Sequence, residues 1–196
     1  MVLLDSNIFI IDRFFPQDAV YPKNRAFVDQ LASIDAAVSA FTLLEICGVA
    51  GFRLSVRELE SWLFRFTNLY PVLVLDAFGL KGKDAEEWWS TFVIEVAETI
   101  SRKMTLGDAV LLREAENYGP EAIITWNTKD FARRTRLPVL TPHSFYATSL
   151  GNPGDLTFPK IGFGEFAWTG LADDAPCGKS HNVDEPLVRP KAPFQK

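Results

Sequence analysis

Short apolar runs alternate along this chain with longer stretches in which apolar residues recur at helical spacing. Val2 to Leu4 is wholly apolar and stops at Asp5-Ser6-Asn7, so it reads as a short buried strand followed by a helical turn through Phe14. Residues 24–31 have a helical period, 36–39 read as a second strand, and 41–50 and 56–69 read as helices. The helix over 56–69 is expected to carry Trp62, Phe66 and Leu69 on one side. A third strand is expected at 71–75, ended by Asp76 and a loop holding Gly79 and Gly82. Helices at 85–103 and 108–118 follow, the second closed by Gly119-Pro120. A fourth strand at 122–125 and a short fifth at 138–140 complete the series. Strands that alternate with helices, without hairpin turns, predict an α/β fold: a mostly parallel sheet of four to five strands with helices on both faces.

Past Ser149 the pattern stops. Residues 150–196 are rich in Gly and Pro; Phe158, Phe163, Phe166 and Trp168 fall in the first half, and residues 173–196 show no period. The expected organisation is one domain over 1–149 and a C-terminal extension over 150–196, partly docked through its aromatic half and partly flexible.

Composition narrows the function. The 196 residues carry a net charge of −5 and a pI near 5.1, which argues against coating nucleic acid by bulk electrostatics but leaves room for a local basic site or a metal. Cys47 and Cys177 form no CxxC pair, and His143 and His181 are too few for a histidine-rich metal site. The opening Met1-Val-Leu-Leu-Asp5 reaches an acid too early for a secretory leader, and no apolar stretch has the length of a membrane span. A cytoplasmic, reduced protein is the expectation.

The chemistry lies in acids at strand ends. Asp5, Glu45 and Asp108 each fall at the mouth of a strand or the start of a helix, and Thr125-Trp-Asn127-Thr-Lys129-Asp130 follows another apolar strand. Each has an ordinary explanation: Asp-Ser-Asn is turn chemistry, while Thr42-Leu-Leu-Glu45 and Thr105-Leu-Gly-Asp108 both match a helix-capping pattern. Asn127 and Asp130 likewise suit the start of a helix. Their joint placement at strand ends is harder to explain that way, because an open α/β sheet builds its ligand crevice there. Carboxylates crowded together raise one another's pKa, a cost that a hard cation removes; oxygen-only ligands suit Mg2+ or Mn2+.

In order along the chain these segments resemble the PIN-domain ribonucleases, in particular the VapC-like toxins of toxin–antitoxin pairs. Leu3-Leu-Asp5-Ser-Asn7 resembles that family's opening strand and first acid, Ser39-Ala-Phe-Thr42-Leu-Leu-Glu45 its second motif, Leu106-Gly-Asp108-Ala-Val-Leu-Leu its third, and Ile124-Thr125-Trp-Asn127-Thr-Lys-Asp130-Phe131 its fourth. The resemblance spans about three quarters of the chain. It implies a PIN-like three-layer α/β/α sandwich and a metal-dependent endoribonuclease. Asp5 and Asp108 would be the main metal ligands, Glu45 would complete the acidic pocket, and Asn7 and Thr125 would hold the ligands in place. Asn127 stands where many members carry aspartate, with Asp130 three residues on. It also implies an RNA substrate and a small antitoxin partner that inserts a peptide with Arg or Lys into the acidic groove. Two features depart from the small toxins: residues 79–89 resemble an insertion, and the tail beyond Ser149 has no counterpart.

Lys129, Arg133, Arg134 and Arg136 follow the fourth motif and could grip RNA phosphates, or simply form a solvated helix end. Trp62, Trp88, Trp89 and Phe92 could stack on bases, although helical aromatics in so apolar a chain are more often core or interface. The apolar helices suggest a homodimer. Two other functions compete: a PIN-like binding scaffold without cleavage, permitted by Asn127 and the tail, and a phosphatase of the haloacid dehalogenase type. The latter wants a second Asp two residues after the first, where this chain has Asn7. No GxGxxG follows the first strand, so a dinucleotide fold is unsupported.

Overall fold

The computed structural model describes residues 1–75 and 84–149, with only the backbone described at 148 and 149. The aromatic part of the extension and the loop with Gly79 and Gly82 lie outside these residues, as does the proposed boundary after Ser149.

Five strands, β1 (Val2–Leu4), β2 (Ala36–Ser39), β3 (Leu73–Leu75), β4 (Ala122–Ile124) and β5 (Val139–Leu140), form one sheet in the order β3-β2-β1-β4-β5. Every pairing is parallel, with Leu3 opposite Ala37 on one side and Ile123 on the other. The chain adds β2 and β3 to one side of β1, then returns to add β4 and β5 to the other. The strand order therefore reverses between β1 and β4, where the carboxyl ends of an open parallel sheet part to leave a crevice.

Alternation along each strand divides the core into two. Val2, Leu4, Val38 and Ile124 face one layer, made with α1 (Ser6–Phe14), α2 (Tyr21–Val28), α4 (Val56–Phe64), α5 (Phe66–Leu69) and α9 (Pro142–Ser149). Leu3, Ala37 and Ile123 face the other, made chiefly with α6 (Ala85–Ser101), α7 (Leu106–Tyr118) and α8 (Thr128–Phe131). Strands buried on both faces read as unbroken apolar runs, which explains why three-residue strands were visible in the sequence. In the first layer Phe9 meets Phe66 and Tyr70 edge-on at 5.1 and 4.9 Å. Burying that ring contributes about 2 kcal/mol. The remaining helix, α3 (Ala40–Ala50), packs against α1 and α7 and so links the layers at the carboxyl edge of the sheet.

Local chemistry fixes the helix ends. Asp84 accepts hydrogen bonds from the backbone N–H groups of Glu86 and Glu87 and starts α6. Ser55 and Glu58 form a reciprocal capping box on α4. Gly119, at φ +60°, ends α7 in the left-handed conformation that favours glycine.

Three expectations are corrected. The single helix over 56–69 is two, α4 and α5, broken at Arg65; Trp62 and Phe66 are buried, but the break turns Leu69 out, 56% exposed. The second helix begins at Tyr21 rather than 24, because Pro22 suits a first turn, and it stops at Val28, before a separate 3-10 turn that buries Leu31. Thr42 and Glu45 form no capping box: α3 is capped by Ser39, whose hydroxyl accepts from Phe41 N–H, so Glu45 lies in the body of the helix. Trp62, Trp88 and Phe92 are buried core residues, whereas Trp89 is exposed.

One buried ionic cluster went unread in the sequence. On α7, Arg113 donates to Glu95 Oε2 at 2.8 Å and to Glu114 Oε1 at 2.6 Å, and its guanidinium lies over the Phe92 ring. Glu114 is fully buried, and burial pushes its carboxyl above the usual range even though Arg113 pulls it back.

Candidate active site

The site assembles where β1, β2 and β4 end. Asp5 follows β1 directly; its backbone N–H pairs with Ile124 O at 3.0 Å, which locks it beside the end of β4. As the residue before α1 its conformation is extended, yet its side chain caps no helix N–H. The carboxylate turns instead into the crevice. Oδ2 accepts from Asn7 Nδ2 at 2.6 Å and from the Thr125 hydroxyl at 2.6 Å, and Oδ1 accepts from the Ser6 hydroxyl at 3.2 Å. The turn reading of Asp5 thus covers its backbone and not its side chain.

Thr125 is the hub of this network. Its fully buried hydroxyl donates to Asp5 while accepting from Asn7 Nδ2 and from Asn127 N–H, both at 2.9 Å. Asn7 Oδ1 accepts from Trp126 N–H at 3.3 Å, and Trp126 Nε1 donates to Asn24 at 2.7 Å. Asn24, itself fully buried, donates to Ile8 O at 2.8 Å. The end of β4 is therefore tied to both α1 and α2. Asn7 and Thr125 were legible in sequence, but Ser6, Trp126 and Asn24 were not singled out. The available signal for Asn24 was a polar side chain among apolar neighbours in a helical period.

The other two acids approach from the second layer and from α3. Asp108 lies in the first turn of α7, half-buried; the Thr105 hydroxyl accepts from its backbone N–H at 3.3 Å, capping the helix, and donates to its carboxylate at 2.6 Å. Glu45 projects from α3 toward the same turn. A methyl group at Gly107 would stand 2.8 Å from Glu45 Oε1, so any larger residue there would make that carboxylate shift from its place beside Asp108. Next to it lies a cavity of about 260 Å³ bordered by Thr42, Glu45, Gly107 and Val110.

Electrostatics link the three. Burial pushes the Asp5 carboxyl up to about 6; the Thr125 and Ser6 hydrogen bonds oppose this, and the charges of Glu45 and Asp108 add to it. A cation-seeking pocket has this character: a fixed carboxylate, stripped of water, with two more carboxylates near enough to make its ionisation costly. The donor set is all oxygen and suits a hard divalent ion, and the Gly107 notch admits the third carboxylate. The fit is one of donor chemistry rather than a preformed cage, since among the described residues no three acidic, His or Cys side chains stand close enough together to hold an ion as arranged.

The remaining expected residues sit at the rim. Asn127 is exposed and donates to the carboxylate of Asp130, so these two pair with each other rather than with Asp5. Lys129 is exposed on α8. Arg134 is occupied: its guanidinium donates to the carbonyls of Asp130, Arg102 and Lys103. Cys47 is half-buried, and burial raises its thiol, so it is no activated nucleophile.

No protein-family model matches the chain, and no curated protein sequence does. Among solved structures, a toxin–antitoxin complex from Klebsiella pneumoniae is similar at 21% identity and a TM-score of 0.47, over 72% of this chain and 98% of that one. FitAcB from Neisseria gonorrhoeae is similar at 19% identity and a TM-score of 0.47, over 73% and 99%. VapC20 of Mycobacterium tuberculosis, a sarcin–ricin loop cleaving toxin, is similar at 16% identity and a TM-score of 0.42, over 63% and 87%. On the four motifs whose acids gather around one edge of its parallel sheet, the chain resembles the VapC-like toxins of the PIN-domain family.

Proposed function

We propose that this chain is a metal-dependent endoribonuclease that hydrolyses RNA phosphodiester bonds, acting as the toxin of a toxin–antitoxin pair. One observation carries the reading: a buried carboxylate, Asp5, sits at the switch point of the sheet and feels the charges of Glu45 and Asp108. Asp5, Asp108 and Glu45 would hold Mg2+ or Mn2+. When bound, such an ion would offset the carboxylates' repulsion and supply the positive charge that a phosphodiester's transition state needs. The chain's own part is positional. Asn7, Ser6 and Thr125 fix the Asp5 carboxylate through three hydrogen bonds, and Asn127 and Asp130 form a polar rim beside it. The RNA substrate, the antitoxin, the homodimer and the cytoplasmic location belong to the same proposal. No helix among the described residues is long and apolar enough to cross a membrane.

A second reading, a binding scaffold that does not cleave, is favoured by the lack of a closed three-ligand cluster among the described residues and by Asn127. Calorimetric titration of Mn2+ into wild type, Asp5→Asn and Asp108→Asn separates the two. The nuclease reading expects a saturable site in wild type, weakened at least tenfold by either substitution. Absence of any such site in wild type would leave the scaffold.

A further inference from the structure

A second, chemically opposite site lies at the far end of α7 from Asp108. A cavity of about 510 Å³ is bordered by Arg102, Arg133, Arg134 and Arg136, with Glu116 and Gly119 on its α7 wall. Four guanidinium groups against one carboxylate, in a chain of net charge −5, make this a local reversal of sign. Among the described residues Glu116 pairs only with Arg102, at 3.5 Å. The guanidinium groups of Arg133 and Arg136 have no hydrogen-bond or ion-pair partner among the described residues.

The cavity is also built. Arg134 donates to Arg102 O and Lys103 O, and Arg102 Nη1 donates back to Arg134 O at 3.3 Å, which clamps the loop after α8 onto the end of α6. Of the three described residues with positive φ, Arg133 at 66° and Gly119 at 60° border the cavity, and Lys103 at 65° offers its carbonyl to the Arg134 clamp. Left-handed backbone is unfavourable for Lys and Arg, and strain of this kind gathers where the position of a side chain matters. The clamp thus fixes the loop that carries Arg133 and Arg136, whose exposed side chains border the cavity.

We propose that this cavity binds the backbone phosphates of the RNA strand whose scissile bond lies at Asp5, a proposal that rests on the ribonuclease reading for the identity of the strand. Planar guanidinium groups match phosphate oxygens two at a time. From Asp108 to Glu116 the helix rises about 12 Å. At about one phosphate per 3.4 Å of a stacked strand, that is roughly three to four nucleotides. The cavity would set which side of the bond the strand occupies and supply the affinity that an acidic site cannot.

The test is binding of a fluorescent 12-nucleotide single-stranded RNA to the full chain in EDTA, followed from 50 to 300 mM salt. Wild type is compared with R133N/R136Q and with R57Q/R65Q, a charge-matched control at exposed positions on α4 and at the break that follows it. Asparagine tolerates left-handed backbone, so R133N removes the charge without further strain. Removing two phosphate contacts lowers the salt slope by about 1.4 and the affinity about 25-fold at 0.1 M salt. The control is expected to change affinity less than twofold. Equal losses in the two pairs, or none in R133N/R136Q, would overturn the proposal. So would displacement of the strand by a mononucleotide at equal phosphate concentration, which assigns the cavity to a small phosphate ligand, or tighter binding of a polyglutamate peptide than of RNA. Cleavage is not read in this assay. A chain that binds through the cavity yet never cleaves therefore defeats only the nuclease reading, and one that cleaves with R133N/R136Q affinity unchanged defeats only this one.

Discussion

Asp5→Asn is expected to stabilise the metal-free protein while it abolishes the proposed chemistry, and the size of the gain follows from burial. The folded state raises the Asp5 carboxyl from an ordinary 3.8 to about 6, chiefly by desolvation. That rise corresponds to about 3 kcal/mol of preference for the protonated form. Below pH 4 both folded and unfolded chains carry the proton, and nothing is lost. Between pH 4 and 6 the folded chain keeps a proton that the unfolded chain releases, so stability falls as pH rises; above 6 the full penalty applies. Asparagine has the same shape and no charge, and its amide oxygen can keep both donors on Oδ2, but its NH2 then faces the Ser6 hydroxyl, which must reorient, at about 1 kcal/mol. The variant is therefore expected to be about 1 kcal/mol less stable at pH 4 and about 2 kcal/mol more stable at pH 7.5, a gain of about 4–8 °C in Tm. Urea unfolding of both proteins in EDTA across this range gives the difference directly. Glu114, also raised by burial, titrates in both and cancels. A difference that stays flat from pH 4 to 8 would refute the claim that an ionised carboxylate is buried at Asp5. Saturating Mn2+ is expected to stabilise wild type and leave the variant unmoved.

Thr125→Val removes the hub hydroxyl while keeping its shape; a loss of about 1–3 kcal/mol by urea unfolding and a 10- to 100-fold drop in cleavage are expected. Gly107→Ala places a methyl against Glu45, and since that carboxylate is a flexible end, stability should stay within about 1 kcal/mol. Its Mn2+ affinity should nevertheless fall about tenfold by calorimetry. Arg113→Met strands the buried Glu114 and is expected to cost about 3–5 kcal/mol in urea, with much of it recovered by adding Glu114→Gln.

The fold was legible where burial is two-sided. Val2–Leu4 and Ala122–Ile124 are apolar throughout, and Ala36–Ser39 is apolar up to its last residue, because helices cover both faces; that composition marks them as strands even at three or four residues. The break at Arg65 was not legible, because Trp62, Phe66 and Leu69 keep helical spacing across it and only packing decides where the helix turns. At the site, Asp5, Glu45 and Asp108 were readable from their places after strands and in helices. Their capping patterns gave opposite outcomes: Thr105 caps at Asp108, while Ser39 takes the cap from Thr42. The network through Trp126 and Asn24 joins residues about a hundred positions apart, and no local period encodes such a pairing. The arginine cavity was half visible. Arg133, Arg134 and Arg136 cluster in sequence, but Arg102 joins them only through the end of α6, and Arg134 proves to be their clamp.

The most direct measurement of the central claim is cleavage of a mixed pool of structured and single-stranded RNAs by wild type and Asp5→Asn, in Mg2+, Mn2+ or EDTA. Wild type is expected to cleave with either metal and not in EDTA, and the variant to be at least a thousandfold slower while folded as judged by its Tm. Cleavage that persists in EDTA, or that survives Asp5→Asn undiminished, would contradict the assignment of this sheet edge as a metal-dependent nuclease centre.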